Sequence, residues 1–290
     1  MKKKVIIFSV TLSMVFGIIA CNKKNSINET TAKANSNTIF NNAYTVGNTN
    51  ALNSLGYVHN LSLDQIASDG SFPNLTEQQE YEIIQPFVNN ELLITSTVPY
   101  SSISDGVAYV KASEENMLNL PASLYSSGRI TSDMKDYLLS IYAAAGFVTN
   151  QTVQGVRSSQ DVIDDIEDIE SDIISDYGNP STNPEYYADM NNNESKATYL
   201  LAFCAIVKHS YGYWEAVRED QNHPWHVPTF SGTNDNGRFW DTKFGKFLTT
   251  VFHDACGFIE EGSDVTIENG DLKYKVNIVK GVKGAIKASA

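Results

Sequence analysis

The sequence is poor in positive charge. Its 290 residues include 21 Lys and Arg against 34 Asp and Glu, which gives a formal net charge of −13. Without the N-terminal Lys2, Lys3 and Lys4 the balance is 18 against 34, or −16. Phosphate backbones and anionic headgroups repel such a chain, which argues against nucleic acid as a partner. The hydrophobic content of 42% nevertheless predicts a folded protein.

The sequence also lacks the motifs that introduce most familiar enzyme classes. It has no Walker loop, no G-x-G-x-x-G after a strand pattern, no G-x-S-x-G, no H-E-x-x-H and no C-x-x-C. Nothing selects a carboxylate pair for glycosidase chemistry among the 34 acids. An enzyme is therefore the less favoured interpretation.

Histidine is scarce, and only His223 and His226 lie close together among the five in the chain. This His-Pro-Trp-His loop could bind zinc with His253, or with a carboxylate such as Asp220, Asp235 or Asp254. The alternative is a loop that packs its rings on the end of a helical bundle. Zinc is the one cofactor that the sequence leaves open, and with it a metal-assisted hydrolase.

Cysteine is scarcer still, and the first of three, Cys21, follows a distinctive leader. Three lysines precede an apolar run from Val5 to Ala20, which predicts a signal peptide over residues 1–20. Ile18-Ile19-Ala20-Cys21 resembles the lipobox of bacterial lipoproteins, which implies a palmitate-bearing lipid anchor on Cys21. An ordinary secreted protein is the alternative. We expect a bacterial cell-envelope protein held at a membrane, the outer one favoured over the inner.

The other two cysteines, Cys204 and Cys256, lie in apolar, helical contexts. The cell envelope permits disulfides, so the pair could form one. Two buried thiols that pack as small hydrophobes are the alternative, and we favour the thiols slightly.

Helical periodicity dominates after an Asn-rich segment. Nine Asn occur in residues 22–50, which predicts a flexible tether over 21–50. Capping-box spacing predicts helix starts at Ser62 and Thr76. The second helix is expected over 76–93, interrupted at Pro86. Longer helices follow Thr131 and either Ser158 or Ser159, and further helices are predicted at about 194–218 and 238–259.

The C-terminal segment changes pattern. Asn269-Gly270 separates two alternating runs within 265–276, which is typical of a β-hairpin. Lys280, Lys283 and Lys287 then predict a modest basic tail. The fold class expected is mainly α, a single helical-bundle domain over 51–262 with a small C-terminal β-hairpin in 263–290.

The helix after Ser158 carries a strongly acidic face. Eight acids between Asp161 and Asp176 surround an apolar stripe, with no compensating base in the helix. Calcium binds several carboxylates at once, but it needs a loop that wraps the ion. A straight helix spreads its charges along the axis, so we interpret this face as solvated.

The segment from Gly56 to Ile66 resembles a family. It matches a pattern of many uncharacterised secreted lipoproteins of Bacteroidetes, G-x-x-H-N-x-x-L-D followed by an aromatic and an apolar residue, at Gly56, His59, Asn60, Leu63, Asp64 and Ile66. Gln65 departs from it, standing where an aromatic residue is common. These proteins often also carry a tryptophan-containing helix that runs into D-A-x-G and then into Gly-rich repeats. The start of this feature is similar here, with Trp240, Asp254, Ala255 and Gly257. An acidic segment and the predicted hairpin stand in place of the Gly-rich repeats.

The resemblance implies a cell-envelope location and a mostly helical fold, and no activity. We interpret the protein as a binding or interaction module whose protein or small-molecule partner the sequence does not identify. A metal-assisted hydrolase that uses His223 and His226 is one alternative. A secreted antagonistic or membrane-active protein is the other. His59 and Asn60 are expected to be structural, with His59 packed inward.

Overall fold

Helices make up most of the described chain. The computed structural model describes residues 46–47, 49–94, 100, 114–147, 157–183, 191–230, 243–268 and 271–289. The predicted leader, Cys21, most of the tether, Asp235, Trp240 and the Asn269-Gly270 pair lie outside these residues. The helices are α1 (Asn53–Ala67), α2 (Glu77–Glu91), α3 (Glu114–Ser126), α4 (Ser132–Ala144), α5 (Ser159–Tyr177), α6 (Asn193–Glu219), α7 (His226–Phe230), α8 (Lys243–Gly262) and α9 (Ile278–Ser289). The mainly α fold is confirmed.

The central helix is α6, with 27 residues. Asn192 caps its start, since Asn192 Oδ1 accepts a hydrogen bond from the backbone N–H of Glu194 at 2.7 Å. Nearly every side chain from Ala197 to Val217 is buried, as its apolar sequence on all faces predicts. Helices α1, α5 and α8 pack around it. Within the described residues, no helix combines the length and the apolar character that crossing a bilayer requires.

Three of the four helix starts predicted at a serine or threonine are confirmed, although the side chain of Thr131 makes no capping bond at the start of α4. Thr76 forms a full capping box with Gln79, and Ser158 accepts from the backbone N–H of Asp161. The start at Ser62 is wrong, because α1 begins at Asn53. Ser62 lies inside α1, where its hydroxyl donates to Val58 O at 2.7 Å. Pro86 lies within α2 and does not interrupt it.

Three helices end in the same way. A residue with positive φ follows the helix, and the backbone N–H of the next residue donates a hydrogen bond to a carbonyl of the last turn. Gly128 and Gly146 have φ of +72° and +104°, and the next residues donate to Leu124 O and Tyr142 O. Leu93 after α2 has φ of +54°, and Ile94 N donates to Asn89 O at 2.8 Å. This is the Schellman arrangement, which favours glycine at the position that Leu93 occupies.

The C-terminal segment is partly as predicted. The strands β1 (Ser263–Glu268) and β2 (Asp271–Val276) pair antiparallel, with Ser263 opposite Val276. The basic tail is wrong, because Ile278–Ser289 forms α9 and is buried along nearly its whole length. It packs on α8 so closely that a Cβ on Gly257 would lie 2.5 Å from Gly284 O. Helix α9 belongs to one compact unit, residues 42–290.

Candidate functional site

Four helices meet at the carboxylate of Asp254. This side chain on α8 is fully buried, and it accepts hydrogen bonds from Trp214 Nε1 at 2.8 Å and from Ser210 Oγ, both on α6. The hydroxyl of Ser289 on α9 also contacts it. Burial raises the pKa of Asp254, although the nearby imidazole of His59 and these hydrogen bonds oppose the shift. We call Asp254, His59, Ser210, Trp214 and Ser289 the Asp254 cluster.

His59 faces this cluster from α1, and its ring is fully buried. Its Nδ1 lies 3.0 Å from Asn60 Oδ1, which only accepts, so Nδ1 carries the proton. Its Nε2 lies 3.2 Å from Ser289 Oγ and 3.5 Å from Asp254 Oδ2. The inward packing of His59 is confirmed, but the residue lies in the middle of α1 rather than before a helix start.

The contact between Ser289 and His59 differs from a hydrolase triad. In such a triad the acid orients the imidazole through one nitrogen while the serine bonds to the other. Here Asp254 and Ser289 both face Nε2, and Asp254 also contacts the serine itself. The N–H of Trp214 bonds to the carboxylate rather than pointing to an open oxyanion position. The arrangement joins α1, α6 and α9 to one carboxylate of α8.

The other motif residues join α1 to α6. A Cβ on Gly56 would lie 2.2 Å from Ala205 O, so the glycine permits the close approach of the two helices. Asn60 Nδ2 donates to His209 O at 2.9 Å. Asp64 accepts from Tyr213 OH at 2.9 Å, and burial raises the pKa of Asp64 to about 6. Gly56, His59, Asn60 and Asp64 thus lie on one face of α1 and contact the core.

The predicted zinc ligands take other partners. His223 is buried, and its Nδ1 accepts from the backbone N–H of Trp225 at 3.3 Å. His226 Nδ1 lies 2.9 Å from Val217 O, and Trp225 Nε1 donates to Leu63 O at 3.0 Å. His253 lies on α8. Among the residues that the structure describes, no group of three or more His, Cys, Asp or Glu side chains is placed to hold a metal ion.

The two cysteines are free thiols, and both are buried. Cys256 Sγ lies 3.0 Å from Tyr142 OH, and burial raises the pKa of Cys256 to about 12. Burial also raises the pKa of the Cys204 thiol. In this structure the two thiols are not bonded to each other and pack as small hydrophobes, which is the alternative that the sequence slightly favours.

A buried ion pair joins α5 to α6. Lys208 Nζ donates to Glu170 Oε2 at 2.7 Å, and both side chains are fully shielded from solvent. Asn50 Nδ2 donates to Glu170 Oε1 at 2.6 Å, which fixes the end of the predicted tether on the body. Burial raises the pKa of Glu170, opposed by the charge of Lys208. Glu170 is therefore not part of a solvated face, and the acids of α5 do have a base near them.

The outer face of α5 is acidic and exposed. Arg157 Nη1 pairs with Asp165 Oδ2 at 2.6 Å; in the described part of the chain, the other exposed carboxylates of this face have no cation within ion-pair distance. Two of them contact neutral groups, since Tyr137 OH donates to Asp176 and Gln160 to Asp164. We call this set the α5 face, and it consists of Asp161, Asp164, Asp165, Asp168, Asp172 and Asp176.

A shallow groove of about 390 Å³ adjoins the α5 face. It lies between α4 and α5 and contains the guanidinium of Arg157, which also donates to Ala144 O at 2.9 Å. The groove thus already holds one cation between a carboxylate and a backbone carbonyl. Its lining is formed by Ser140, Ala143, Ala144, Arg157, Asp165, Asp168 and Ile169.

No protein-family model, curated protein or solved structure matches this chain. The residues of the site therefore carry the argument for function.

Sequence reasoning missed much of the Asp254 cluster. Ser210 and Trp214 lie four residues apart on one face of α6, but no spacing relates them to Ser289 or Asp254, and they meet only because α6 and α9 both pack against α8. Glu170 did leave a signal, because it lies at helical spacing between Ile166 and Ile173 on the apolar stripe. A carboxylate at such a position needs a buried partner.

Proposed function

We propose that this protein is a lipid-anchored binding module of the bacterial cell envelope, and that the α5 face is the surface that contacts its partner. The signal peptide, the lipobox at Cys21 and the resemblance to Bacteroidetes lipoproteins support the location, with the outer membrane favoured. Asn50, bound to Glu170, lies where the tether joins the body.

The observation that carries the proposal is the exposed charge of the α5 face. Six carboxylates project from one side of α5, and Asp165 alone of them pairs with a cation in the described part of the chain. Like charges at helical spacing destabilise a helix by a few tenths of a kcal/mol per pair. A basic partner surface would neutralise them and would be steered toward them over about a Debye length.

The groove indicates what part of a partner would dock. Arg157 shows that a guanidinium fits between Asp165 and the C-terminal end of α4. An arginine or lysine of the partner would extend over Ala143 and Ile169 toward Asp168, with its stem on apolar atoms and its charge on the carboxylate. The partner class is therefore a protein with an exposed basic segment.

The anchor is tested separately from the partner surface. Cys21→Ala should move the protein from the detergent phase to the aqueous phase in Triton X-114 partitioning, because the acyl chains supply the membrane affinity. Unchanged partitioning would remove the lipoprotein proposal.

The partner surface is tested in the producing cells. A photo-reactive residue at exposed Ser175 on α5 should give a discrete cross-linked species. That species should disappear when Asp161, Asp164, Asp168 and Asp172 become Asn. It should persist in a control with the same change in charge elsewhere, in which Glu82, Glu115 and Glu219 become Gln and Asp136 becomes Asn. No discrete species, or a species that both variants retain, would refute the α5 face as the partner surface.

A further inference from the structure

Helix α9 has the sequence pattern of a cationic amphipathic helix. Its twelve residues include three lysines and no acid. At 100° per residue, Lys280, Lys283 and Lys287 fall within about 60° of arc on one side of the helix. Ile278, Val282 and Ile286 lie on the other part of the circumference and are buried. Such helices ordinarily lie at an anionic membrane surface, with the lysines among the headgroups.

In this structure the lysine side of α9 is covered rather than exposed. Lys283 is fully buried, and its ammonium donates to Asn89 Oδ1 on α2 at 2.9 Å. Lys287 is 5% exposed and lies 3.9 Å from Glu77 Oε2, also on α2. Lys280 is half-buried, 3.6 Å from Glu261 on α8. Helix α2 therefore covers Lys283 and Lys287, and the ring of Tyr100 also lies over Lys287, with its centroid 3.9 Å from Nζ.

The cover leaves Lys283 in a costly position. Among the described residues, its hydrogen-bond acceptor is a neutral amide, and no carboxylate lies within ion-pair distance. Burial lowers the pKa of Lys283 to about 8. A buried cation without a charged partner opposes the packing that encloses it. Lys283 thus weakens the contact between α2 and α9. Moving α2 aside would expose Lys283 to solvent.

We propose that α9 is a membrane-contact helix for an anionic bilayer surface, and that α2 is the removable cover over its lysines. With α2 displaced, Lys283 and Lys287 would contact phosphate headgroups, on the same side of α9 as Lys280, which pairs with Glu261 of α8. The net negative charge of the rest of the protein opposes this only within about 8–10 Å at physiological salt. The contact is independent of the lipid on Cys21 and of the α5 face, so it goes beyond the proposed function.

The test uses the chain from residue 22 onward, which lacks the leader and retains the whole compact unit of residues 42–290. Co-sedimentation is measured with phosphatidylglycerol vesicles and with phosphatidylcholine vesicles, at a temperature where thermal melts show each variant to be folded. The wild type should bind the anionic vesicles selectively. Asn89→Ala removes the acceptor of Lys283 without changing charge, and it should raise the bound fraction at least threefold.

Two further variants make the result specific. Asn90→Ala changes the neighbouring, exposed amide on α2 and should bind as the wild type does. Lys283→Met should bind less than the wild type and should melt at a higher temperature, since it removes the buried charge. The proposal would be overturned if the wild type bound the two vesicle types equally and Asn89→Ala did so as well. Equal binding of Asn89→Ala and Asn90→Ala, or unchanged binding of Lys283→Met, would also overturn it.

Discussion

His59 Nε2 lies 3.5 Å from Asp254 Oδ2, with both side chains fully shielded from solvent. The two residues belong to α1 and α8, which are far apart in sequence. Donors from α6 and α9 reach the same carboxylate, so one side chain links four helices. A buried carboxylate with this many partners is stable only while each of them stays in place.

Asp254→Asn should lower the free energy of unfolding by about 2–4 kcal/mol. The charge-assisted hydrogen bonds to the carboxylate are lost, and the NH2 group of the new asparagine would face another hydrogen-bond donor. His59→Ala should lower the free energy of unfolding by more than about 1 kcal/mol. Chemical denaturation measures both. The exposed Asp168→Asn is the control and should stay within about 0.5 kcal/mol of the wild type. A neutral His59→Ala would make His59 and Asn60 candidates for a ligand site.

Gly56→Ala should destabilise the protein by about 1–3 kcal/mol, because the new Cβ would lie 2.2 Å from Ala205 O and force α1 away from α6. Gly70→Ala is the matched control. Its Cβ would meet no atom within 4 Å, so its stability should change by less than about 0.5 kcal/mol. Equal melting temperatures for the two variants would show that the seam between α1 and α6 tolerates a methyl group.

Lys208→Met should lower the free energy of unfolding by about 3–5 kcal/mol, since it leaves the buried carboxylate of Glu170 without its cation. The double variant Lys208→Met/Glu170→Leu should recover most of that loss, because a well-packed apolar pair replaces the two charges. Together with the wild type and Glu170→Leu, these two variants form a double-mutant cycle, measured by urea denaturation. A double variant as unstable as Lys208→Met alone would contradict this account of the pair.

Leu93→Gly should stabilise the protein by about 1 kcal/mol, since glycine adopts a φ of +54° without the penalty that Leu93 bears. The side chain is 74% exposed, so little packing is lost. Gly128→Ala and Gly146→Ala make the reverse change in the same motif and should each cost about 1 kcal/mol. Differential scanning calorimetry resolves shifts of this size. A destabilising Leu93→Gly would show that the leucine makes a contact of its own.

The stability of the protein should fall in mild acid partly because of His209. Burial lowers the pKa of His209 to about 3, with a further contribution from the charge of Lys208. Between about pH 6.5 and 3 the unfolded chain binds a proton that the folded chain does not, so stability is lost as pH falls. Asp64 acts in the opposite direction between its ordinary pKa of 3.8 and about 6.

His209→Gln removes the first contribution and leaves the second. Relative to this variant, the wild type should lose about 1–2 kcal/mol between pH 7 and pH 5, as urea midpoints at the two pH values would show. A constant difference between the two proteins would mean that His209 has the same pKa in the folded and the unfolded chain.

The helices that sequence reasoning placed well are those whose apolar residues repeat every three or four positions. Helices α4, α5 and α6 are of this kind, and Ser158 and Asn192 mark two of their starts. The start of α1 was missed because Leu52, at its N-cap, makes no side-chain capping bond. Helix α9 was missed because it contains Gly281 and Gly284, which are poor helix formers. These two glycines allow α9 to pack closely on α8.

The candidate site was predictable only in part. The spacing of Gly56, His59, Asn60 and Asp64 places them on one helical face, and the inward packing of His59 followed from its neighbours. Asp254 and Ser289 came into the site through tertiary packing, which no spacing encodes. The exposed charge of α5 was predictable because a straight helix with one apolar stripe must present its other residues to solvent.

The bond between His59 and Ser289 spans 230 residues of chain. A ribosome adds about 5–20 residues per second, so α1 emerges on the order of 10–50 s before the helix that completes its surroundings. During that interval α1 can pack on α6, but the Asp254 cluster stays incomplete until α9 has been synthesised, and the long loop that must then close slows folding further. Export through a membrane in an unfolded state, which the proposed location would require, suits such a chain, because the contact between α1 and α9 forms only after the C-terminal helix has been synthesised.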